Sequence, residues 1–247
     1  MRYQPIPSSL FVKNRLNFAK EMQTNHIALL CSNDVQVTNA DDSMGFAQNN
    51  DLLYLSGIDQ EETILLLYPN AYKKENKEIL FIKKTDEHIK IWEGDKLTKD
   101  DASQISDIAR VEWIEDFEQI LQLIAFEADG FYLGHNEHIK RSTKEIETRQ
   151  DRLINWCKRK YPLHDYQRAA KITRGLRQIK AQEEVAMIQK AAGISVQGFE
   201  RVLRSVKPGM MEYELEAELS YMFIKHGAIR HAFKPIVASG GNACALH

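Results

Sequence analysis

The sequence has only three cysteines, and their number and spacing exclude two common ways of stabilising a small fold. Cys31, Cys157 and Cys244 lie far apart and form no C-x-x-C pair. A disulfide framework and a thiolate zinc site are therefore both disfavoured. The amino-terminal residues also lack the apolar run of a signal peptide. These features predict a cytoplasmic protein in a reducing compartment.

A surplus of one charge and a long apolar run are absent as well. The chain contains 33 Lys and Arg against 35 Asp and Glu, which gives a net charge of −2. Without a basic surplus we expect no nucleic-acid partner. No stretch of roughly 18 apolar residues occurs, so we expect no membrane span. A hydrophobic fraction of 43% over 247 residues is enough to bury a core, and the length favours more than one domain.

The sequence does contain a series of short apolar segments and helical patterns. Apolar residues at helical spacing predict a first helix that begins at Ser8 or Ser9, either of which is a suitable N-cap. Runs rich in Leu, Ile, Tyr and Phe predict neighbouring strands of one sheet. The predicted strands are residues 26–31, 51–57, 63–68, 78–82 and 131–133, and a further helix is predicted within residues 143–160.

The pattern changes after a mixed, polar segment at residues 161–174, where we place a domain boundary. The predicted domains are residues 1–170 and 171–247. The second domain is predicted to contain a long amphipathic helix, a shorter helix and a short strand, at residues 176–204, 212–226 and 233–238. Gly193 and Gly198 either weaken the long helix or mark its close packing against another element.

Two groups of potential metal ligands have simpler interpretations. His135 and His138 have an H-x-x-H spacing, but the adjacent Gly134 and Asn136 favour a surface loop. Four glutamates alternate along the shorter helix, at positions 212, 214, 216 and 218. Because this spacing scatters them around a helix, we interpret them as solvated side chains and not as a converging metal site.

Several stretches, taken together, resemble the aminopeptidase P and prolidase group of metallopeptidases. The most specific is LRQIKAQEEVAMIQKAAGIS, which begins at Leu176. The others are VKPGMMEYELEAEL from Val206, GAIRHAFKPIVASGGNACALH from Gly227, QNNDLLYLSGI from Gln48 and IWEGDKL from Ile91. The resemblance implies an α/β fold class, with an amino-terminal creatinase/prolidase-like α/β domain followed by the beginning of a pita-bread catalytic domain.

The resemblance also implies two divalent metal ions, usually Mn²⁺, which the family holds with two Asp, one His and two Glu. In the family these ions share a water that attacks the scissile carbonyl. The last aspartate of this sequence is Asp165, which precedes the part that resembles the catalytic domain. The metal ligands are therefore expected beyond the end of this chain, no residue of the chain is predicted to bind metal, and the chain alone is predicted to be inactive.

Two residues match functional positions of the family. His247 corresponds to the histidine of a G-x-N-x-x-x-x-H pattern that lies near the metals and hydrogen-bonds the substrate or the tetrahedral intermediate, so the resemblance implies a catalytic role. Trp92 corresponds to the aromatic residue of an IW-x-G pattern that lines a neighbouring subunit's active site, which implies substrate binding. Ordinary packing is the alternative for both side chains.

The function that the resemblance implies is metal-dependent removal of the amino-terminal residue from peptides with proline in second position, by a homodimer or homotetramer. A prolidase, which acts on Xaa-Pro dipeptides, is the nearest alternative. A non-catalytic binding module with a pita-bread-like fold is a further alternative, and it would be favoured if the native gene ended at His247.

Overall fold

The structure is a computed structural model that describes residues 5–137 and 146–245, apart from the side chain of residue 88. The chain divides into two compact units, Ile6–Ile179 and Lys180–His247. The predicted domain boundary after residue 170 remains a prediction.

The first unit has helices on both sides of one sheet, which confirms the predicted α/β class. Its helices are α1 (Ser8–Glu21), α2 (Asn50–Ser56), α3 (Glu87–Glu93), α4 (Lys99–Ser106), α5 (Phe117–Ala125), α6 (Arg149–Lys160) and α7 (Ala169–Leu176). Its strands are β1 (His26–Cys31), β2 (Ile64–Leu67), β3 (Glu78–Ile82), β4 (Val111–Trp113), β5 (Gly130–Leu133) and β6 (Asp165–Arg168).

The strands form a mixed sheet with the order β4-β3-β2-β1-β5-β6. The central strand β1 is antiparallel to β2, with Ala28 opposite Leu67, and parallel to β5, with Ile27 opposite Phe131. The pair β2–β3 is antiparallel, whereas the outer pairs β3–β4 and β5–β6 are parallel. Every residue of β1 is buried, as expected for a strand covered on both faces.

Two apolar cores lie on opposite faces of the sheet, because successive side chains of a strand point to opposite sides. Ile27 and Leu29 of β1 belong to the core that contains residues of α5 and α6. Ala28 and Leu30 belong to the other core, with residues of α1, α2, α4 and α7. The first unit is therefore a three-layer structure with the sheet in the middle.

Most of the predicted elements of this unit are confirmed, but two details were wrong. α1 begins at Ser8, yet Pro7 occupies its N-cap position and no side chain caps it. Residues 51–57 form α2 and the turn that ends it, not a strand. The side-chain oxygen of Asn49 accepts the first-turn N–H groups at 2.9 and 3.1 Å, and Gly57 follows in the left-handed conformation with φ +73°.

Arg15 of α1 is almost fully buried and connects three other elements. Its Nε donates to a carboxylate oxygen of Glu78 in β3 at 3.0 Å. Its Nη1 donates to the carbonyl oxygens of Leu55 at 3.0 Å and Ser106 at 2.9 Å. These carbonyls lie in the last turns of α2 and α4, where backbone acceptors have no partner within the helix.

The second unit contains α8 (Gln182–Ser205), α9 (Glu212–Lys225) and a 3₁₀ helix at Gly240–Cys244. The prediction of one helix over residues 176–204 was wrong at its start. α7 ends at Leu176, and α8 starts separately because the Glu184 carboxylate accepts the N–H of Ala181 at 2.8 Å.

Close packing between α8 and α9 explains one of the two glycines in the long helix. A Cβ atom at Gly198 would lie 2.7 Å from Leu219 and 2.9 Å from Phe223, so only glycine allows this approach. No atom lies within 4 Å of the corresponding position at Gly193. The packing interpretation is therefore confirmed for Gly198 alone.

The strand predicted at residues 233–238 was wrong, since this segment pairs with no strand in the part of the chain that the structure describes. Pro235 within it has no N–H to donate to a ladder. Among residues 5–137 and 146–245, no helix is both long and apolar enough to cross a membrane.

We expect Gly57→Ala to destabilise the protein more than Gly45→Ala, its matched control. Both glycines have a left-handed φ, +73° and +74°, but a Cβ at Gly57 would lie 2.3 Å from the Phe11 ring, whereas nothing lies within 4 Å at Gly45. The left-handed backbone alone costs about 1–2 kcal/mol and overpacking adds about 1–3 kcal/mol. Urea unfolding midpoints of the two variants measure the difference, and equal midpoints would contradict this account.

Candidate functional site

Trp92, the predicted substrate-binding residue, lies on the short helix α3. The carboxylate of Asp86 caps this helix by accepting the N–H of Ile89 at 2.7 Å, and Gly94 ends it with φ +83°. Trp92 and its neighbour Ile91 are 74% and 78% exposed. α3 therefore presents two adjacent large apolar side chains on the surface of the first unit.

The carboxyl-terminal end of α3 is held by a charge cluster, which we define as Glu61, Glu62, Lys83, Glu93 and Lys96. The Nζ of Lys96 lies 2.7 Å from Glu61 and 3.1 Å from Glu93. The Nζ of Lys83 lies 3.2 Å from Glu93, 3.3 Å from Glu62 and 3.9 Å from Glu61. Each lysine therefore connects α3 to the chain that leads into β2.

The electrostatics of the charge cluster favour its ionised form. The hydrogen bond from Lys96 lowers the pKa of the Glu93 carboxyl, with a further contribution from Lys83. Burial by itself would lower the pKa of Lys96, but the hydrogen bonds to Glu61 and Glu93 outweigh burial and raise this pKa. The ionised forms of Glu93 and Lys96 are therefore both favoured.

A neutral hydrogen-bond chain joins the same two segments. The side-chain oxygen of Gln60 accepts the N–H of Leu97 at 2.8 Å. The side-chain amide of Gln48 donates in turn to the carbonyls of Gln60 at 2.8 Å and Ile58 at 3.0 Å. The stretches QNNDLLYLSGI and IWEGDKL, which are distant in sequence, are thus brought together around α3.

In the second unit, Glu212 holds the turn that precedes the G-x-N-x-x-x-x-H pattern. Its carboxylate accepts the backbone N–H of Ser239 at 2.7 Å and the Ser239 hydroxyl at 3.1 Å. The side-chain amide of Asn242 donates to both oxygens, at 3.1 and 3.2 Å. Asn242 is the asparagine of the pattern, and His247, its histidine, lies outside the described residues.

The interpretation of the four glutamates of α9 as solvated side chains did not include the contacts that three of them make. Besides the contacts of Glu212, Glu214 accepts the N–H of Met211 at 2.7 Å and so caps the helix. Glu218 forms an ion pair with Arg201 of α8. The alternating spacing gave no sign of these roles, because each partner lies in another segment or in the preceding turn.

His135, the first histidine of the H-x-x-H motif, lies in a loop, as predicted. His135 lies in the segment after β5, and its Nε2 is 2.9 Å from the Asp151 carboxylate. The other oxygen of Asp151 accepts the N–H of Thr148 in the capping box of α6. His135 thus connects its loop to α6, while His138 lies outside the described residues.

Neither a metal site nor a reactive thiol pair is formed by the residues that the structure describes. Within residues 5–137 and 146–245, no group of three or more His, Cys, Asp or Glu side chains is placed to hold a metal ion. Burial raises the pKa of both Cys31 and Cys157 to about 12, which keeps these thiols protonated. The described part of the chain therefore does not fit the dinuclear centre that the resemblance implies.

Comparison with known families and proteins shows what the two units are similar to. Residues 11–132 match the family "Aminopeptidase P, N-terminal domain", and residues 186–247 match "Metallopeptidase family M24". The chain is 26% identical to the Xaa-Pro aminopeptidase of Escherichia coli and 27% identical to that of Haemophilus influenzae. These alignments cover 96% and 98% of the chain but 54% and 53% of the two relatives.

Solved structures give the same result. The fold superimposes on aminopeptidase P from E. coli with a TM-score of 0.84 and 26% identity, over 99% of this chain and 55% of that one. It superimposes on aminopeptidase PepP from Pseudomonas aeruginosa with a TM-score of 0.85 and 27% identity, over 98% and 55%. The chain thus spans about half the length of the relatives and structures that it matches.

The matched regions place the chain in a class of proteins with an amino-terminal α/β domain of the aminopeptidase P type followed by the start of an M24 domain. Within that class, the chain belongs to the aminopeptidase P family. The roles of Trp92 and His247 remain predictions.

We expect the turn at Ser239 to titrate with Glu212. The hydrogen bond from the Ser239 N–H, followed by that from Asn242, lowers the pKa of the Glu212 carboxyl below its usual value. The contacts are therefore complete above the usual glutamate pKa and are lost as the pH falls through the lowered value. NMR should show the Ser239 amide shift following the titration of Glu212, at a pH below the usual pKa of a glutamate side chain.

Glu212→Gln should abolish the titration of the Ser239 amide, and Glu216→Gln should leave it in place. A Ser239 amide that titrates identically in both variants would show that Glu212 does not hold this turn.

Proposed function

We propose that the whole protein is an Xaa-Pro aminopeptidase, which removes the amino-terminal residue from peptides that have proline in second position. The observation that carries this proposal is the similarity to the E. coli Xaa-Pro aminopeptidase over 96% of the chain. The matches to both the amino-terminal and the M24 families support it independently.

The proposed substrate needs a dedicated enzyme for a physical reason. Proline forms a tertiary amide with no N–H, and its ring fixes φ. A peptidase that recognises an ordinary peptide bond through its N–H therefore loses that contact at an Xaa-Pro bond. A site shaped for the proline ring recovers the binding free energy through apolar contact.

The metal part of the proposal depends on residues other than those described. We propose that two divalent ions, which the resemblance to the family implies are Mn²⁺, bind in the pita-bread domain of the whole protein. The described residues do not form such a site. Metal dependence is supported by the M24 match, and the structure of a Zn-substituted E. coli aminopeptidase P is among those that superimpose on this chain.

The remaining proposed features follow from the same family. We propose a catalytic role for His247 and a substrate-binding role for Trp92 in the active site of a neighbouring subunit, within a cytoplasmic homodimer or homotetramer. The exposure of Trp92 on a helix held by the charge cluster supports the substrate-binding role proposed for it. A side chain that reaches another subunit must be exposed on its own subunit and fixed in direction.

We expect the whole protein, purified from its native gene with Mn²⁺, to release the first residue of an Xaa-Pro-Xaa tripeptide. Chelation should abolish the release and added Mn²⁺ should restore it, because the proposed chemistry requires the metal. Mass spectrometry of the products measures the activity. The chain of residues 1–247 alone should be inactive in the same assay.

Two outcomes would replace this proposal. Cleavage of Xaa-Pro dipeptides without cleavage of tripeptides would identify a prolidase instead. A lack of cleavage with any proline peptide, in protein that binds no divalent ion, would favour a non-catalytic binding module.

We expect Trp92→Ala in the whole protein to raise KM for the tripeptide about 2- to 10-fold with a smaller change in kcat, because an aromatic contact contributes about 0.5–1.5 kcal/mol beyond its buried area. Tyr72→Ala is the matched control, since Tyr72 is 88% exposed but follows β2 at the end away from Glu61. Steady-state kinetics measure both variants. An unchanged KM for Trp92→Ala would remove Trp92 from the site.

A further inference from the structure

Three of the five members of the charge cluster are more deeply buried than the members of a surface ion pair, whereas Glu62 and Glu93 are 41% and 45% exposed. The side chains of Glu61 and Lys96 are each 13% exposed, and that of Lys83 is 16% exposed. Exposed ion pairs contribute little, because water screens them and both side chains lose freedom. Charges that are largely withdrawn from water are instead sensitive to the loss of any one partner, since the partner left behind stays poorly solvated.

The cluster is not needed to hold the sheet. Glu61 and Glu62 lead into β2, and Lys83 follows β3, but these two strands are already paired, with Ile64 opposite Phe81. Lys83 and the two glutamates would therefore lie close together without α3. The cluster adds the attachment of Glu93 and Lys96, which fixes the end of α3 to this end of the β2–β3 pair.

Trp92 directly precedes Glu93, so the ion pairs of Glu93 restrain the backbone next to Trp92. Glu93 receives both lysines, and Lys96 joins Glu93 to Glu61 across the turn at Gly94. A glycine with φ +83° allows the chain to change direction there but does not by itself hold that direction. The ionic contacts on both sides of Gly94 supply that restraint.

We propose that Lys96 and Glu93 are positioning residues for Trp92: they hold α3 so that its exposed indole points in one direction. This inference rests on the proposed function, in which Trp92 contributes to substrate binding in a neighbouring subunit. It assigns part of the substrate affinity to charges that do not touch the substrate.

The kinetic test uses the whole protein and the Xaa-Pro-Xaa assay. Lys96→Met, which keeps the aliphatic stem and removes the charge, should raise KM by the same 2- to 10-fold range, roughly, as Trp92→Ala. Lys96→Arg should restore KM, because it keeps a cation within reach of Glu61 and Glu93. Lys90→Met is the control, since Lys90 lies on the same helix, but it and its partner Asp95 are 62% and 71% exposed.

The double variant separates positioning from a general effect on the fold. If Lys96 acts through Trp92, then Trp92→Ala together with Lys96→Met should raise KM no more than Trp92→Ala alone. Additive effects of the two substitutions on KM would overturn the proposal. An unchanged KM for Lys96→Met, alongside a raised KM for Trp92→Ala, would also overturn it.

A spectroscopic measurement keeps the test independent of activity. Fluorine NMR of the protein labelled with 5-fluorotryptophan, with the Trp92 signal assigned by Trp92→Phe, should show a changed shift and a narrower line in Lys96→Met but not in Lys90→Met. An unchanged Trp92 signal would overturn the proposal. A changed signal with a normal KM in both Trp92→Ala and Lys96→Met would instead sustain the positioning and refute the proposed role of Trp92 in binding.

Discussion

The buried guanidinium of Arg15 is the interaction on which the arrangement of the first unit depends. One side chain from α1 reaches the last carbonyls of α2 and α4 and the Glu78 carboxylate of β3. A buried cation is costly unless its donors are satisfied, and removing one partner of such a pair typically costs about 3–5 kcal/mol. The last turns of α2 and α4 are therefore both positioned by the need to satisfy the hydrogen-bond donors of Arg15. Glu61 and Glu62 of the charge cluster follow α2, so Arg15 also fixes the helix end from which that part of the cluster starts.

The functional features of the two units have a common design, in which carboxylates hold turns. Glu93 and Glu61 restrain the chain around Gly94 through lysines, and Glu212 restrains the turn at Ser239 through direct hydrogen bonds. Both turns lie within the stretches of sequence that resemble the aminopeptidase P family. A carboxylate suits this purpose because it accepts several hydrogen bonds at once and needs no partner from a regular element.

Sequence patterns predicted the elements whose signal is local. The strand at residues 26–31 is a continuous apolar run, and its limits were predicted correctly. The strand predicted at 51–57 failed because the deciding contacts are the cap from Asn49 and the left-handed turn at Gly57. The charge cluster was not predicted, since Glu61 and Lys96 meet only after the sheet has formed. The resemblance predicted functional roles for Trp92 and His247, whereas the spacing of the residues alone predicted no chemical role for either.

The strand order also constrains how this chain acquires its structure during synthesis. The central strand β1 is made early, yet its parallel neighbour β5 is made roughly a hundred residues later, and the edge strand β6 later still. The nascent chain must therefore keep the apolar β1 paired on one side only, with β2, until residue 133 of β5 has left the ribosome. Pairing over such distances slows folding. A pause in translation between α7 and α8 would give the strands time to finish pairing. The amphipathic helices of the second unit would then emerge too late to compete with the strands for their apolar contacts.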